Sequence, residues 1–269
     1  MESCQAPARI ACMDETTIRR LNAINREFYR VTAAEFDQTR SQPWPGWERL
    51  LSYVGRATMN HVPATMSVLD VGCGNGRFGV FLYNRLVGAQ GPAPLQHIHY
   101  HGIDNNPVLL ERARHSLGGL PEVAAQLEER DIIENPLNGG QYDLVALFGV
   151  LHHISGYEQR LGLMRTLGQR VAPGGIMAFA CWRFYEYERF RERIIPWPDD
   201  FQVEEHDYLL DWRQGARALR YCHYVNDAEH AVLVAATGLT EIATYRADGQ
   251  TGDANRYSIL QHDHSRKSG

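Results

Sequence analysis

The chain has 269 residues, 44% of them hydrophobic, which suits one sizeable domain with an insertion better than two separate domains. No stretch approaches the ~20 apolar residues of a membrane span, and Met1 to Met13 lacks the apolar core and cleavage site of a signal peptide. The formal net charge is −5, and Lys267 is the only lysine among 27 Lys and Arg, which argues against a free-standing nucleic-acid binder held by a basic surface.

In chain order, Ile18, Leu21, Ile24, Phe28 and Val31 recur at spacings of three and four. That pattern predicts an amphipathic helix over Thr16–Phe36, with Arg19, Arg26 and Arg30 on another face. Pro43-Trp44-Pro45-Gly46 breaks the chain, and a second helix is expected over Trp47–Met59. Strands are then expected near Ser67–Val71, His97–Ile103, Ala124–Arg130, Tyr142–Phe148 and Gly175–Trp182. Helices are expected between them near Gly76–Ala89, Pro107–Leu117 and Tyr157–Val171. This regular alternation implies a parallel sheet. After Trp182 the rhythm fails, because Arg183 to Tyr224 is long, aromatic and charged. A helix over Asn226–Thr237 and strands near Glu241–Arg246 and Tyr257–Leu260 close the chain. The expected organisation is an N-terminal helical extension over 1–60 and a sheet domain over 61–269. A cap insertion at 183–225 would lie over the carboxyl ends of the strands, where ligands bind.

The run Val68-Leu69-Asp70-Val71-Gly72-Cys73-Gly74-Asn75-Gly76-Arg77 carries the strongest chemical signal. An apolar strand ends beside an acid, and glycines follow that let the backbone turn sharply and approach a ligand. A helix start just behind them offers free N–H groups. The layout is that of a nucleoside-cofactor site on the first strand of an α/β sheet. A dinucleotide fingerprint would read G-x-G-x-x-G, but Arg77 stands where its third glycine belongs. Asp70 would repel a pyrophosphate and suit a sulfonium or ammonium group. The residues therefore point to S-adenosylmethionine, with Gly72, Cys73 and Gly74 forming the notch. From Val68 to Phe78 the chain resembles the first motif of the class I methyltransferases. The resemblance implies an α/β, Rossmann-like fold with a seven-stranded, mostly parallel sheet.

Further positions fit that site. Asp104 ends the second strand, where a carboxylate can accept both ribose hydroxyls; the bland reading makes it a helix cap, a role open equally to Asn105 or Asn106. Asp131 and Ile132 follow the third strand and suit the adenine amine and ring, though a loop aspartate can simply cap a turn. Tyr29, Asn105 and Phe148 complete the expected donor contacts. His152 and His153 follow the fourth strand, where histidines can contact an acceptor or remove a proton; which of them faces inward stays open. Trp182 suits a wall of the acceptor pocket or the core. The five cysteines (Cys4, Cys12, Cys73, Cys181, Cys222) form no C-x-x-C pair, so no metal is expected and reduced thiols in a cytoplasmic protein are the simplest reading.

Phe36, Thr39, Arg40, Pro43, Trp44 and Pro45 match a Phe-x-x-Thr-Arg-x-x-Pro-Trp-Pro pattern. This is similar to the segment before the cofactor domain in the wobble-uridine tRNA carboxymethyl methyltransferases, including the methyltransferase part of the AlkB-like tRNA hydroxylase fusion. The Val-Leu-His-His loop and Arg220-Tyr221-x-His223-Tyr224 resemble theirs too, and the likeness runs roughly from Asn25 to Leu260. Trp47 to Leu51 and the loop Ala247–Arg256 depart from it. The resemblance implies esterification of a carboxymethyl group on a tRNA uridine, and often a small zinc-binding activator subunit as partner. Tyr221 and His223 join the histidine pair as expected catalytic residues. An ionised carboxylate needs a cation to orient it rather than a base, and Arg40 and Arg220 are the candidates. Arg40 could equally hold the donor's own carboxylate. The competing readings are a small-molecule O- or N-methyltransferase with a histidine base, and a catalytically silent scaffold.

Overall fold

The computed structural model describes residues 13–38, 42–57, 65–87, 95–198, 200–212 and 217–262. Two N-terminal helices, α1 (Glu15–Gln38) and α2 (Pro45–Ala57), precede the sheet. Asp14 starts α1, its carboxylate accepting the Thr17 N–H at 2.9 Å. Leu21 and Phe28 are fully buried on its inner face. Arg19, Arg26 and Arg30 lie outside, but each is paired, with Glu15, Glu134 and Glu27 respectively. They do not form an open basic stripe.

The main sheet comprises β1 (Thr65–Val71), β2 (His97–Asp104), β3 (Val123–Glu129), β4 (Tyr142–Phe148), β5 (Val171–Trp182), and the two strands that end the chain. Helix α3 (Arg77–Leu82) follows β1, α4 (Pro107–Gly118) follows β2 and α5 (Tyr157–Gly168) follows β4. The expected helix over Gly76–Ala89 is α-helical only to Leu82 and continues as a wider π turn over Tyr83–Val87. Strand β5 begins at Val171, earlier than expected, because Val171 pairs with Tyr142 before the register shifts and Ile176 takes Leu144.

Beyond β5 the described part of the insertion has secondary structure of its own. It contains α6 (Glu188–Arg191) and an antiparallel sheet of β6 (Ile194–Ile195), β7 (Asp207–Trp212) and β8 (Ala218–His223). Strand β8 packs on α1, joining the insertion to the N-terminal extension. Helix α7 (Asp227–Ala236) and strands β9 (Thr240–Ala247) and β10 (Asn255–Gln261) complete the chain. The sheet order is β3-β2-β1-β4-β5-β10-β9, with β10 antiparallel to both its neighbours. Alternate residues of β1 and β4 enter opposite layers: Val68 and Leu144 pack with Trp47 and Phe78, whereas Leu69 and Val145 pack with Met164 and Leu167. The order reverses between β1 and β4, which opens a crevice at their carboxyl ends. Among the described residues no helix is long and apolar enough to cross a membrane.

Candidate active site

That crevice is a cleft open to solvent at its mouth. Its floor is the glycine loop, where Gly72, Gly74 and Gly76 have φ of +75°, +54° and +77°. The amides of Gly72 and Cys73 donate to the Ile103 carbonyl at 2.7 and 3.0 Å, fastening the loop to β2. A Cβ on Gly72 would come within 2.1 Å of Val150 Cγ2, so that glycine serves close packing against the β4 turn. Gly74 has open space on that side and is required only by its φ.

Asp104 accepts the Gly74 N–H through Oδ2 and the Asn106 N–H through Oδ1, both at 2.9 Å. The cap of α4 is Asn106, whose Oδ1 takes the Val108 and Leu109 amides. Asp104 is therefore free of the capping role, and its carboxylate lines the cleft between the Gly74 and Asn106 amides. Burial raises its pKa, against the pull of the loop amides. Asp70 is 3% exposed and accepts the Tyr100 hydroxyl at 2.5 Å. Burial pushes its pKa up to about 7, although the Tyr100 hydrogen bond and the Arg77 charge oppose the shift. Asp131 accepts from Asn22 Nδ2 and from the Ile133 amide, both at 2.9 Å. Cys73 also lines the cleft, but burial and the Asp70 charge hold its thiol protonated.

The other wall is aromatic. Trp44, Trp47, Phe78 and Phe148 line it, and the Arg77 guanidinium lies about 5 Å from both tryptophan rings. Tyr29, Asn105, Ile132 and His153 also reach the cleft.

The two histidines sit on a single 3-10 turn, Leu151–His153, and the structure separates their roles. His153 lines the cleft, and His152 is buried behind it at 4% exposure. His153 Nδ1 lies 3.2 Å from the Tyr221 carbonyl oxygen, which only accepts, so Nδ1 carries the proton. Its Nε2 then accepts from Arg220 Nη2 at 3.0 Å and faces the Tyr29 hydroxyl at 2.8 Å. The same Nη2 donates to His152 Nε2 at 2.9 Å. Arg220 is 6% exposed, packs against Phe28 and Trp182, and has no carboxylate partner among the described residues; its Nε has no hydrogen-bond acceptor there either.

Tyr221 and His223 do not reach the cleft. The Tyr221 hydroxyl donates to Asp207 at 2.8 Å, and His223 lies between Asp207 and Glu229, 2.7 Å from each. With Arg160 and Glu204 they form a buried network that ties the insertion to α5 and α7. Two groups, His152–His153–Cys222 and Glu204–Asp207–His223, have ligand atoms within 4.8 Å of one another. In the first, the Arg220 guanidinium already holds both imidazoles, and a cation there disfavours a metal ion. Arg40, the other candidate clamp, lies outside the described residues.

Sequence reasoning passed over Asn22 and Asn25, which are 4% and 5% exposed and line the cleft beside Tyr29. Asn25 Oδ1 accepts the Tyr221 amide at 3.0 Å, which fixes the orientation of the side chain. Its Nδ2 is left without an acceptor among the described residues. Two asparagines on the apolar face of α1, between Leu21 and Phe28, were the available signal.

Residues 69–177 match the methyltransferase domain family. A protein of Encephalitozoon cuniculi whose name proposes a methyltransferase is 28% identical over 239 residues, 87% of this chain and 93% of that protein. The tRNA (carboxymethyluridine(34)-5-O)-methyltransferase of Saccharomyces cerevisiae is 27% identical over 177 residues, 63% of this chain and 54% of its own length. This chain spans about a quarter to a half of the length of the tRNA methyltransferases it matches. Among solved structures, magnesium protoporphyrin IX methyltransferase of Synechocystis PCC 6803 with bound SAH has a TM-score of 0.61 at 13% identity, covering 90% of this chain and 100% of that one. The chain therefore carries a methyltransferase domain with the fold of the class I, S-adenosylmethionine-dependent methyltransferases.

Proposed function

We propose that this S-adenosylmethionine-dependent methyltransferase esterifies a carboxylate on a modified wobble uridine of tRNA. The observation that carries the reading is Arg220: a buried guanidinium, without an acid partner among the described residues, held directly behind the cleft-lining His153. Both imidazoles turn Nε2 toward this cation. A proton taken up at either Nε2 would face the guanidinium, so the pair is unsuited to act as a general base. The site fits an acceptor that arrives already ionised, as a carboxylate does at neutral pH. Arg220 then acts through the histidine wall, supplying fixed positive potential and orienting His153. Asn25 Nδ2 offers a nearby N–H for an acceptor oxygen.

The donor fits the rest of the cleft. Asp104 would hold the ribose diol, Asp131 and Ile132 the adenine, and Asp70 the cationic end. When bound, S-adenosylmethionine supplies an electrophilic methyl group; the chain's own contribution is to align the reactants and exclude water. The tRNA assignment is supported by the Phe36–Pro45 motif and by the yeast relative. The family's zinc-binding activator subunit is the partner it implies. The paired arginines of α1 provide no open basic face for RNA, which is consistent with part of the RNA contact coming from such a partner.

To test this, the protein is incubated with methyl-labelled donor and either total tRNA or a metabolite extract, with and without an activator subunit. The expected product is a labelled tRNA nucleoside whose label leaves as methanol in mild alkali, as an ester requires. Label that is alkali-stable, or that enters only the small-molecule fraction, would sink the proposal.

Asp70 gives a second expectation. With its pKa near 7 it is partly protonated at neutral pH, whereas a sulfonium favours the carboxylate. Donor affinity should therefore fall as pH drops through 7, by up to about tenfold per unit. Asp70→Asn should flatten the profile, and calorimetric titration across the neutral range reads both. A flat wild-type profile would separate Asp70 from the donor's charge.

A further inference from the structure

The connection from β9 to β10 contains a buried carboxylate that the chemistry above leaves without a role. Asp248 is 4% exposed, with a φ of +69° that aspartate tolerates better than most residues. Three donors converge on it. Oδ1 accepts the Gly46 N–H at 2.8 Å, while Oδ2 accepts Asn255 Nδ2 at 2.8 Å and the Tyr257 hydroxyl at 2.6 Å. Among the described residues it has no ion-pair partner within 4 Å. Its direct partners are thus hydrogen-bond donors, one of them from the backbone of a distant segment, and the Arg77 guanidinium interacts with it electrostatically from farther off.

That segment is Trp44-Pro45-Gly46-Trp47. The Tyr245 hydroxyl donates to the Gly46 carbonyl at 2.8 Å, so side chains of the sheet edge hold both polar backbone groups of Gly46. A Cβ on Gly46 would come within 2.4 Å of the Tyr257 ring, so the first turn of α2 lies directly on that ring. The Tyr245 and Tyr257 rings are stacked, 5.0 Å apart and 7° from parallel. On either side of Gly46, Trp44 and Trp47 line the cleft; Trp47 packs on Phe78 and Phe148, and Trp44 packs on Trp47.

We propose that Asp248 is a positioning residue for donor binding: it fixes Gly46, and through it holds Trp44 and Trp47 as the aromatic wall of the cleft. This rests on the reading of the cleft as the donor site. The anchor comes from the far antiparallel edge of the sheet, outside the glycine motif and outside residues 69–177 that match the family. An asparagine keeps the Gly46 N–H only by turning its NH₂ toward Asn255 and Tyr257, which must then both reverse to accept, so Asp248→Asn weakens the anchor without emptying its place.

The test uses the full chain and calorimetric titration with S-adenosylmethionine and S-adenosylhomocysteine, together with thermal melts. Asp248→Asn is expected to weaken both ligands about tenfold, and Tyr245→Phe about threefold, in protein that still melts cooperatively. In a Trp44→Ala background, Asp248→Asn should cost clearly less, since the wall it positions is already broken. A purely structural role would lower the melting temperature and leave affinity per folded molecule unchanged, which would overturn the inference. Fully additive losses with Trp44→Ala would overturn it as well. Should Asp248→Asn not fold, wild-type affinity in Tyr245→Phe overturns it. Wild-type protein that binds neither ligand would instead overturn the donor-site reading.

Discussion

Arg160→Met is expected to lower the unfolding free energy by about 3–5 kcal/mol, the range for removing one partner from a buried ionic group. Arg160 is 1% exposed, and three of its nitrogens are engaged: Nε with Glu229 at 2.7 Å, Nη2 with Glu204 at 2.8 Å and Nη1 with the Ile154 carbonyl at 3.1 Å. Without it, Glu204, Asp207 and Glu229 would share only the charge of His223. Glu204 and Asp207 belong to the insertion, Glu229 to α7, and Ile154 to the turn that carries the histidines. The loss should therefore loosen the cap and the acceptor wall together. Denaturant unfolding of both proteins measures it, and a change below about 1 kcal/mol would show that the network relaxes at little cost.

The same network predicts the direction of a pH effect. Burial opposes an imidazolium at His223, but its hydrogen bonds to Asp207 and Glu229 outweigh it and raise the pKa above the usual value. A raised histidine contributes full stability below its unfolded pKa of about 6.5 and loses it as pH rises through the folded value. Stability of the wild type should thus decline as pH rises above about 6.5, and His223→Gln should remove that part of the decline.

Asp104→Asn is expected to weaken donor binding by about 10–100-fold, which corresponds to the loss of one charge-assisted hydrogen bond of about 1.5–3 kcal/mol. Two positions of Asp104 are already taken by the Gly74 and Asn106 amides. An asparagine must turn its NH₂ against one of those two amides whichever way it sits, and so loses an acceptor at that position. Because Asn106 rather than Asp104 caps α4, the helix should survive and the loss should fall on affinity. Calorimetry separates the two, as a folded variant that binds the donor like wild type would remove Asp104 from the ribose role.

Much of the donor half of the site was legible because its determinants are local. Glycines that must adopt positive φ, an acid on β1 and an acid at the end of β2 lie within a few residues of the turns they shape. The acceptor half was not. No motif sets Arg160, Glu204 and Glu229 apart in the sequence, and they meet only when the insertion folds against α5 and α7. Strand β8 escaped notice because residues 220–223 are all buried, so the period-two alternation that betrays a half-exposed strand is lost. The histidine pair was visible, but the guanidinium that engages it, Arg220, lies 67 residues from His153 in the chain.

By itself, the sequence determined the alternating α/β order, the glycine notch and the acids around it, since backbone sterics and hydrophobic periodicity act over a few residues. Only the tertiary structure decided which histidine meets the cleft, that a guanidinium engages both imidazoles, and that Asp248 anchors the tryptophan segment. Those outcomes depend on hydrogen bonds between groups far apart in the chain, whose partners are chosen by burial once the layers have packed.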